Sequence, residues 1–412
     1  SDFGISYDAD VLRHIDAFRA SGFLVGSVVI TKFRAQAQAE AFQGRLEALG
    51  IKVYRHYPIE GYPSNVSLIV SDEGFGKNDY IETEKPLVIV AAPGPGSGKM
   101  AVCLSQLYLE HKKGVRAGYA KFETFPVWNL PLRHPVNVAY EAATIDLDDI
   151  NMIDPYHLEA YNTLSVNYNR DIEVFPVLNA IFRRIFGESP YKSPTDMGVN
   201  MVGFCISDDA ECQHAAKKEI LRRYYASACE KKQGHIVSDE QITKLRLLME
   251  ELGINDSERP CIEAARKRAE ETGAPACAIE LDDGRVISSK TSSLLGATAA
   301  LILNALKELA GIDREVKLIP AEVIGPVQDL KLGYLGNNNP RLHSDEVLVA
   351  LSITAANDET ARRALEQLPR LAHCEAHCTV ILTHTDENIL KRLKINISND
   401  PHYQPKKLYH KR

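Results

Sequence analysis

One stretch near residue 90 constrains the fold of this chain more than any other feature of its sequence. Six apolar residues, 87–92, run directly into the glycine-rich turn 93-PGPGSGK-99, and a helical pattern of apolar residues begins at Lys99. A short apolar run bounded by turn residues is typical of a buried strand. A strand, a tight turn and a helix in this order predict an α/β architecture.

Helical and extended patterns alternate on both sides of this stretch. The alternation predicts a doubly wound, mostly parallel sheet in an N-terminal domain. Such a sheet normally begins with a strand, whereas this pattern begins with a helix, so we expect a further N-terminal element. The predicted helices are 8–21, 35–49 and 99–111, and the predicted strands are 25–31, 51–54, 66–71, 87–92 and 115–120.

The middle of the chain has a different character. Residues 121–201 are irregular and rich in Pro, Asn, Tyr and Phe, with one clear helical pattern at 175–186. Capping and stop signals then bound three regular helices, which predict a helical middle domain. These three helices are predicted at 208–232, 239–252 and 258–271.

A hairpin pattern opens the last part of the chain. The extended runs 277–281 and 285–288 flank an Asp-Asp-Gly turn, which predicts a C-terminal α/β domain that contains a hairpin. We therefore expect three domains, which span 1–135, 136–273 and 274–412. The other elements predicted for the last domain are helices 292–310 and 358–368 and strands 316–319, 347–355 and 379–383.

Charge, apolar runs and cysteine content exclude several classes of partner. A net charge of −7 provides no overall positive field for nucleic acid. The longest apolar run, 294–306, is shorter than the roughly 20 residues that cross a bilayer, so we expect no membrane partner. Eight cysteines are too few for a disulfide scaffold, and no charged-then-apolar leader precedes Tyr7, which together favour a cytoplasmic, reducing location.

The glycine-rich turn predicts a site for a phosphate group. Glycines let the backbone approach an anion, and the following helix N-terminus and Lys99 add positive charge. The fit to the Walker pattern is incomplete, because Pro93 replaces its first glycine and Met100 replaces its Ser or Thr. The alternative is a tight structural turn whose glycines serve packing only. The predicted phosphate- or nucleotide-binding residues are Gly94, Gly96, Ser97, Gly98 and Lys99.

A second glycine-containing loop, 71–79, follows the predicted strand 66–71. Because ligands gather at the carboxyl ends of parallel strands, we expect Asp72 and Glu73 to hold a cation and Lys77 to meet an anion. Lys99, Asp72 and Glu73 are therefore the predicted catalytic residues. The alternative is a solvated loop whose Asp and Gly residues only satisfy the geometry of a turn.

Polar residues among the aromatics of 121–201 predict a wall around a polar small molecule. Arginine in such a wall suits bidentate contact with carboxylate or phosphate. The alternative is an irregular linker held by aromatic packing. The predicted substrate-binding residues are Glu123, Asn129, Arg133, His134, Asn167, Arg170, Lys192 and Asp196.

A cluster of thiols and imidazoles, 373-HCEAHC-378, resembles a set of zinc ligands. No second pair of cysteines with C-x-x-C spacing accompanies it, and cysteines also serve as small apolar residues at the edge of a strand. We therefore predict no metal site. Cys374, His377 and Cys378 are the candidate ligands under the alternative.

Several stretches together resemble an uncharacterised bacterial family that is known only as a domain of unknown function. The resemblance implies an N-terminal α/β domain, a helical middle and a C-terminal α/β domain, and it implies no established activity. Family members carry a further N-terminal segment, which agrees with the pattern that begins on a helix. The stretches that carry the resemblance are 54–64, 71–83, 93–108, 119–137 and 288–307.

The leading hypothesis is an enzyme that binds a nucleotide or a phosphorylated small molecule at 93–99. Phosphoryl transfer with a Mg²⁺ nucleotide is the reaction class that such a loop suggests, since it depends on positioning and neutralising charge. The alternative is a non-catalytic sensor or assembly protein, in which a phosphorylated effector binds the loop and the later domains form a homo-oligomer. A dinucleotide cofactor is a third hypothesis, although the glycine spacing differs from G-x-G-x-x-G.

Overall fold

The computed structural model describes residues 6–94 and 96–404, which form two compact units. The first unit comprises the residues up to Leu130 together with Asn151–Phe204, and the second comprises Pro131–Ile150 together with the residues from Cys205 onward. Helices and short sheets occur in both units, which confirms the predicted α/β multidomain class. The division at 135 and 273 stays a prediction.

The elements follow one another along the chain as helices interrupted by short strands. Up to Leu130 they are α1 (Tyr7–Ala20), β1 (Ser27–Ile30), α2 (Ala37–Ala48), β2 (Lys52–Arg55), α3 (Val66–Ile69), α4 (Lys99–Lys112) and β3 (Lys121–Phe122). From Pro131 to Phe204 they are α5 (Pro135–Ala143), β4 (Asn151–Ile153), α6 (Pro155–Tyr161), β5 (Val166–Tyr168), α7 (Asn169–Phe186) and β6 (Gly198–Val199).

The C-terminal elements include the described sheet with the most strands, which has four. They are α8 (Asp209–Lys232), α9 (Asp239–Glu251), α10 (Cys261–Thr272), β7 (Ala276–Glu280), β8 (Val286–Lys290), α11 (Ala297–Ala310), α12 (Ala321–Asp329), α13 (Ser344–Ala355), α14 (Glu359–Leu365), β9 (Glu375–Cys378), α15 (His384–Arg392) and β10 (Asn396–Asn399). In residues 6–94 and 96–404, no helix combines the length and the apolar character needed to cross a membrane.

The N-terminal strands form a parallel pair, as the sequence predicts for its first two strands. β1 and β2 pair from Ser27 opposite Lys52 to Ile30 opposite Arg55. α1 and α2 pack next to this pair around Ile15 and Leu46, both of which are buried. In the described residues the pair has no third strand, so the parallel sheet is smaller than the doubly wound sheet that the pattern predicts.

One predicted strand of this unit is wrong, and two others do not form among the described residues. The segment 66–71 contains the helical turn α3, because the side chain of Asn65 accepts a hydrogen bond from the Leu68 N–H and caps a helix there. Residues 87–92 and 115–120 are described and pair with no strand. Apolar runs of this length do not distinguish a strand from a helical turn without knowledge of the neighbouring chain.

A hydrophobic core fixes the position of α4 in the first unit. Leu104 and Leu107 of α4 are buried in the same cluster as Phe175 and Phe182 of α7. α7 includes the predicted helix 175–186 and extends it toward the N-terminus. Packing against α7 therefore anchors the helix whose N-terminus follows the glycine-rich turn.

The sheet of the second unit has the strand order β10-β9-β7-β8. β7 and β8 form the predicted hairpin, with Cys277 opposite Ser289. The predicted strand 347–355 is wrong, since this run lies in α13, where the buried residues Val347, Leu351 and Ala355 recur every four positions. The predicted strands 316–319 and 379–383 are also wrong. The strand nearest the second of them is β9, which ends at Cys378.

Candidate phosphate-binding loop

The glycine-rich turn ends in left-handed residues from which α4 starts. Gly96 has a φ of 68°, and Gly98, which immediately precedes Lys99, has a φ of 91°. Residues with a Cβ rarely adopt such angles, whereas glycine adopts them at little steric cost. The two glycines therefore let the chain reverse direction directly before the helix.

Several N–H groups at the start of α4 have no acceptor among the residues that the structure describes. The first bond of the helix runs from the Val102 N–H to the Gly98 carbonyl at 3.0 Å, so the N–H groups of Lys99, Met100 and Ala101 lack acceptors within the helix. Among the described residues, none accepts a hydrogen bond from the N–H of Ser97 or Gly98 either. Consecutive free donors at the positive end of a helix suit a bound anion.

The Lys99 side chain folds back over the loop. Its Nζ donates to the Gly94 carbonyl at 3.0 Å and to Ser97 Oγ at 3.3 Å. Lysine carries a full positive charge and donates up to three hydrogen bonds, which makes it a common phosphate ligand. The ammonium group therefore lies beside the free N–H groups of the loop.

The loop meets the carboxyl end of β1. Thr31, the residue after β1, donates from Oγ1 to the Ser97 carbonyl at 2.8 Å. A Cβ added to Gly98 would lie 3.2 Å from the Thr31 methyl carbon, so glycine is needed there for close approach as well as for its φ. In open α/β sheets, ligands bind at the carboxyl ends of the strands.

The loop 71–79 does not join this site. Asp72 Oδ1 accepts from Tyr108 Oη at 2.8 Å and forms an ion pair with Lys112, the last residue of α4. At 1.5 Å per helical residue, Lys112 lies about 20 Å from Lys99. The hydrogen bond from Lys112 lowers the pKa of the Asp72 carboxyl. The structure therefore brings Asp72 to the opposite end of α4 from the glycine-rich turn.

Glu73 and Lys77 interact with each other instead of with the site. Glu73 Oε2 lies 2.6 Å from Lys77 Nζ, and both side chains are more than half exposed. Exposed pairs of this kind contribute little to stability. Further along the same loop, Asp79 Oδ2 accepts from the Arg55 N–H at 2.7 Å and thereby supports the end of β2.

A buried ionic cluster lies in the irregular segment that follows α4. Lys121 Nζ forms ion pairs with Glu123 and with Asp171, the latter at 2.6 Å, and also donates to Tyr168 Oη. Burial alone would lower the pKa of Lys121, but the charges of Asp171 and Glu123 raise it. Burial raises the pKa of Glu123, an effect that Lys121 partly opposes. The cluster therefore combines a permanent cation with a carboxyl that gains protons more readily than usual.

Tyr119 packs against the same core as α4. Its ring centre lies 6.1 Å from that of Phe182 in α7, and Met100 of α4 contacts the same hydrophobic cluster. Burial raises the pKa of Tyr119, and the positive charge of Lys121 partly opposes this effect. We call Lys121, Glu123, Tyr168 and Asp171 the Lys121 cluster.

Sequence reasoning selected Glu123 but missed Lys121 as a candidate. A signal was available, because residues two apart on an extended strand share one face. Lys121 and Glu123 have that spacing next to the apolar Phe122. The contribution of Asp171 had no local signal, since it reaches Lys121 from α7 across 50 residues.

The other predicted substrate residues of this unit make local contacts. Asn129 Oδ1 accepts from the Gly203 N–H at 3.1 Å, and Asp196 Oδ2 accepts from Tyr161 Oη at 2.6 Å. Lys192 and Arg170 lie over the rings of Tyr161 and Tyr168, respectively, each with its charged group 5.5 Å from the ring centre. Asn167 is buried, and its Nδ2 has no hydrogen-bond partner among the described residues.

Arg133 and His134 belong to the second unit. Arg133 Nε lies 2.9 Å from Glu251 Oε1, with both side chains well exposed. His134 caps α5, and its Nε2 lies 2.9 Å from Asp209 Oδ1. Both residues therefore have structural partners within their own unit.

The residues of the C-terminal thiol and imidazole cluster point in different directions. His377 is buried, its Nδ1 lies 2.8 Å from Ser398 Oγ, and burial lowers its pKa. Cys378, the next residue of β9, faces the opposite side of the sheet and stands opposite Cys277 in register. Cys374 donates to the Arg370 carbonyl. Within the described part of the chain, no three His, Cys, Asp or Glu residues are grouped so that they could hold a metal ion.

Fold and loop together define a multidomain α/β protein with a glycine-rich turn at a helix N-terminus. Residues 1–253 match the N-terminal domain of unknown function DUF1846, and residues 257–409 match its C-terminal domain. The chain therefore belongs to the DUF1846 family, which confirms the resemblance to an uncharacterised bacterial family.

Curated relatives agree with this assignment. The UPF0371 protein stu1377 of Streptococcus thermophilus is 56% identical over 410 residues, which cover 100% of this chain and 83% of that protein. The UPF0371 protein of Streptococcus pneumoniae strain JJA is also 56% identical, with the same coverage. Neither name states an activity.

Proposed function

We propose that the chain is an enzyme that binds the phosphate group of a nucleotide or another phosphorylated small molecule at the loop 93–99. The observation that carries this proposal is the row of N–H groups from Ser97 to Ala101, which have no acceptor among the described residues and lie next to the Lys99 side chain. All eight cysteines are free, which supports a reducing cytosol as its location.

Lys99 is the residue that responds to the ligand in this proposal. Its present acceptors, the Gly94 carbonyl and Ser97 Oγ, are neutral groups of the loop. A phosphate oxygen is a stronger acceptor, because charge-assisted hydrogen bonds are roughly twice as strong as neutral ones. Lys99 therefore exchanges a loop carbonyl for the ligand without a change in the backbone.

The position of Asp72 argues against phosphoryl transfer at the loop. Phosphoryl transfer usually needs a carboxylate that holds Mg²⁺ next to the phosphates, and Asp72 is bound at the far end of α4. A polar co-substrate next to the Lys121 cluster would instead meet Glu123, whose raised pKa suits proton transfer. The same position of Asp72 also favours the second candidate function, a non-catalytic sensor of a phosphorylated effector.

Titration calorimetry with ATP, ADP and inorganic pyrophosphate tests the site. Lys99→Ala should weaken binding of the best of these ligands ten- to hundredfold, since a hydrogen bond to a charged group contributes about 1.5 to 3 kcal/mol. Lys112→Ala is the matched control, because it removes the same charge from the other end of α4. Its affinity should equal that of the unmodified chain.

The same titrations separate the candidate functions. Equal affinity in Lys99→Ala and the unmodified chain, or no binding of any of the three ligands, would contradict the phosphate site. A sharp increase in ATP affinity on addition of Mg²⁺ would restore phosphoryl transfer as the preferred reaction. An affinity that Mg²⁺ does not change, in a chain without turnover, would favour the sensor.

A further inference from the structure

The apolar run before the glycine-rich turn is exposed. Leu87, Val88 and Ile89 expose 79%, 52% and 76% of their surface, although their sequence is that of a buried strand. Continuous runs of Val, Ile and Leu are typical of parallel strands that are covered on both faces. Contiguous exposed apolar residues mark a surface that normally has a partner.

β1 shows the same incomplete burial. All four of its residues are only half-buried, although Val28, Val29 and Ile30 form another continuous apolar run. Phe23 and Leu24, just before β1, are 61% and 58% exposed. In the described residues β1 pairs with β2 alone, so its other edge has no strand beside it.

The turn that follows the run 87–91 reaches the carboxyl end of β1, because Thr31, after β1, donates a hydrogen bond to the Ser97 carbonyl. In a doubly wound sheet the strands commonly lie in the order 3-2-1-4, numbered along the chain. If β1 is the second strand of such a sheet, β2 the third and 87–91 the fourth, then the position between β1 and 87–91 belongs to the first strand and is vacant. α1 then corresponds to the crossover helix that leads from that first strand to β1.

We propose that residues 87–91 form a strand of a larger parallel sheet, and that a β-strand from outside the 412 residues pairs between them and β1. The occupant is part of the same polypeptide in the longer relatives, whose length this chain covers to 83%. The remainder of those proteins greatly exceeds the five or six residues of a typical strand.

Completion of the sheet also affects the loop. Ligands of doubly wound folds bind where the strand order reverses, which is between the first and fourth strands. The turn 93–99 follows the fourth strand, so the added strand ends beside it. This last consequence rests on the proposed function, whereas the pairing of the strand does not.

Hydrogen exchange measured by mass spectrometry tests the pairing. The amides of 87–91 should exchange without protection in the 412-residue chain. In the full-length Streptococcus thermophilus relative, the aligned amides should exchange more slowly by a factor on the order of 100 or more, as expected for a strand in a core sheet. Unprotected amides in the relative would overturn the proposal, and so would protected amides in the 412-residue chain.

Thiol labelling gives a second measurement with an internal control. Ile89→Cys and Val349→Cys both introduce a thiol where the native side chain is exposed, 76% and 61% respectively. Both cysteines should react rapidly with maleimide in this chain. In the longer relative, only the cysteine aligned with residue 89 should be labelled at a lower rate. Equal labelling of both in the relative would overturn the pairing. Neither measurement uses a ligand, so failure of phosphate binding leaves this result unaffected.

Discussion

Replacement of Gly98 by alanine tests whether the turn before α4 is built for close approach. Gly98 has a φ of 91°, and a Cβ added there would lie 3.2 Å from the Thr31 methyl carbon. Gly114, just beyond the other end of α4, has a φ of 77° but has no atom within 4 Å of an added Cβ. Gly114→Ala is therefore a control that shares the backbone conformation without the steric contact.

The two substitutions should differ by the energy of that contact. Each should lower the free energy of unfolding by about 1 to 2 kcal/mol, the cost of placing an L-residue in the left-handed region. Gly98→Ala should lower it by about 1 kcal/mol more, because an added methyl group must displace Thr31. Adding Thr31→Ser to Gly98→Ala should recover this extra energy, since serine lacks the methyl group but keeps the hydroxyl that bonds to Ser97.

Trp128 provides the assay. It is the only tryptophan of the chain and is 2% exposed within the first unit, so its fluorescence reports unfolding of the unit that contains both glycines. Urea titrations of the variants, analysed as a double-mutant cycle with Thr31→Ser, isolate the contact. Equal destabilisation by Gly98→Ala and Gly114→Ala would refute the reasoning. In the ligand titrations, only Gly98→Ala should weaken binding.

Three further predictions concern the second unit. The hydrogen bond to Asp386 raises the pKa of His343. The ion pair therefore stabilises the fold fully below about pH 6.5, and this stabilisation is lost as pH rises through the raised pKa. His343→Gln should lower the free energy of unfolding by about 1 to 2 kcal/mol at pH 6 and by less at pH 8, as measured by denaturation at both pH values. Arg259 is fully buried, its Nε lies 2.8 Å from Glu375 Oε2, and its Nη2 donates to the carbonyls of Ala376 and Asn396. Arg222 still pairs with Glu375 when Arg259 is replaced, so Arg259→Met should destabilise by about 2 to 4 kcal/mol in urea titrations followed by circular dichroism, because it leaves buried acceptors without donors. Elemental analysis should find no stoichiometric zinc, and one zinc per chain that Cys374→Ala removes would contradict this.

Features that depend on local residues were predictable from the sequence. The left-handed glycines and the helix start at Lys99 follow from the turn 93–99 itself. The capping box at Ser238 and Gln241 fixes the start of α9, and the turn at Gly284 fixes the hairpin of β7 and β8. In each case the residues that determine the structure lie within a few positions of one another.

Apolar runs were less informative, because their structure depends on what covers them. The run 347–355 is compatible with a buried strand, yet α13 buries it on one helical face. Its start is fixed by a contact that the apolar run does not contain, namely the bond from the His343 N–H to Glu346 Oε2 at 2.7 Å. The run 87–91 has the pattern of a strand but lacks paired neighbours in the described residues.

In the candidate site, too, the residues placed by their sequence neighbours were predictable and those placed by packing were not. Lys99 lies beside the N–H groups at the start of α4 because its neighbours in the sequence place it there. Asp72 was expected beside the loop because both follow predicted strands, but 66–71 contains a helical turn and the argument from parallel strand ends does not apply to it. The partner of Asp72 is then decided by packing along α4, where Tyr108 and Lys112 present a phenol and an ammonium on one face. Under the proposed function, a carboxylate that assists the loop must therefore come from a segment other than 71–79.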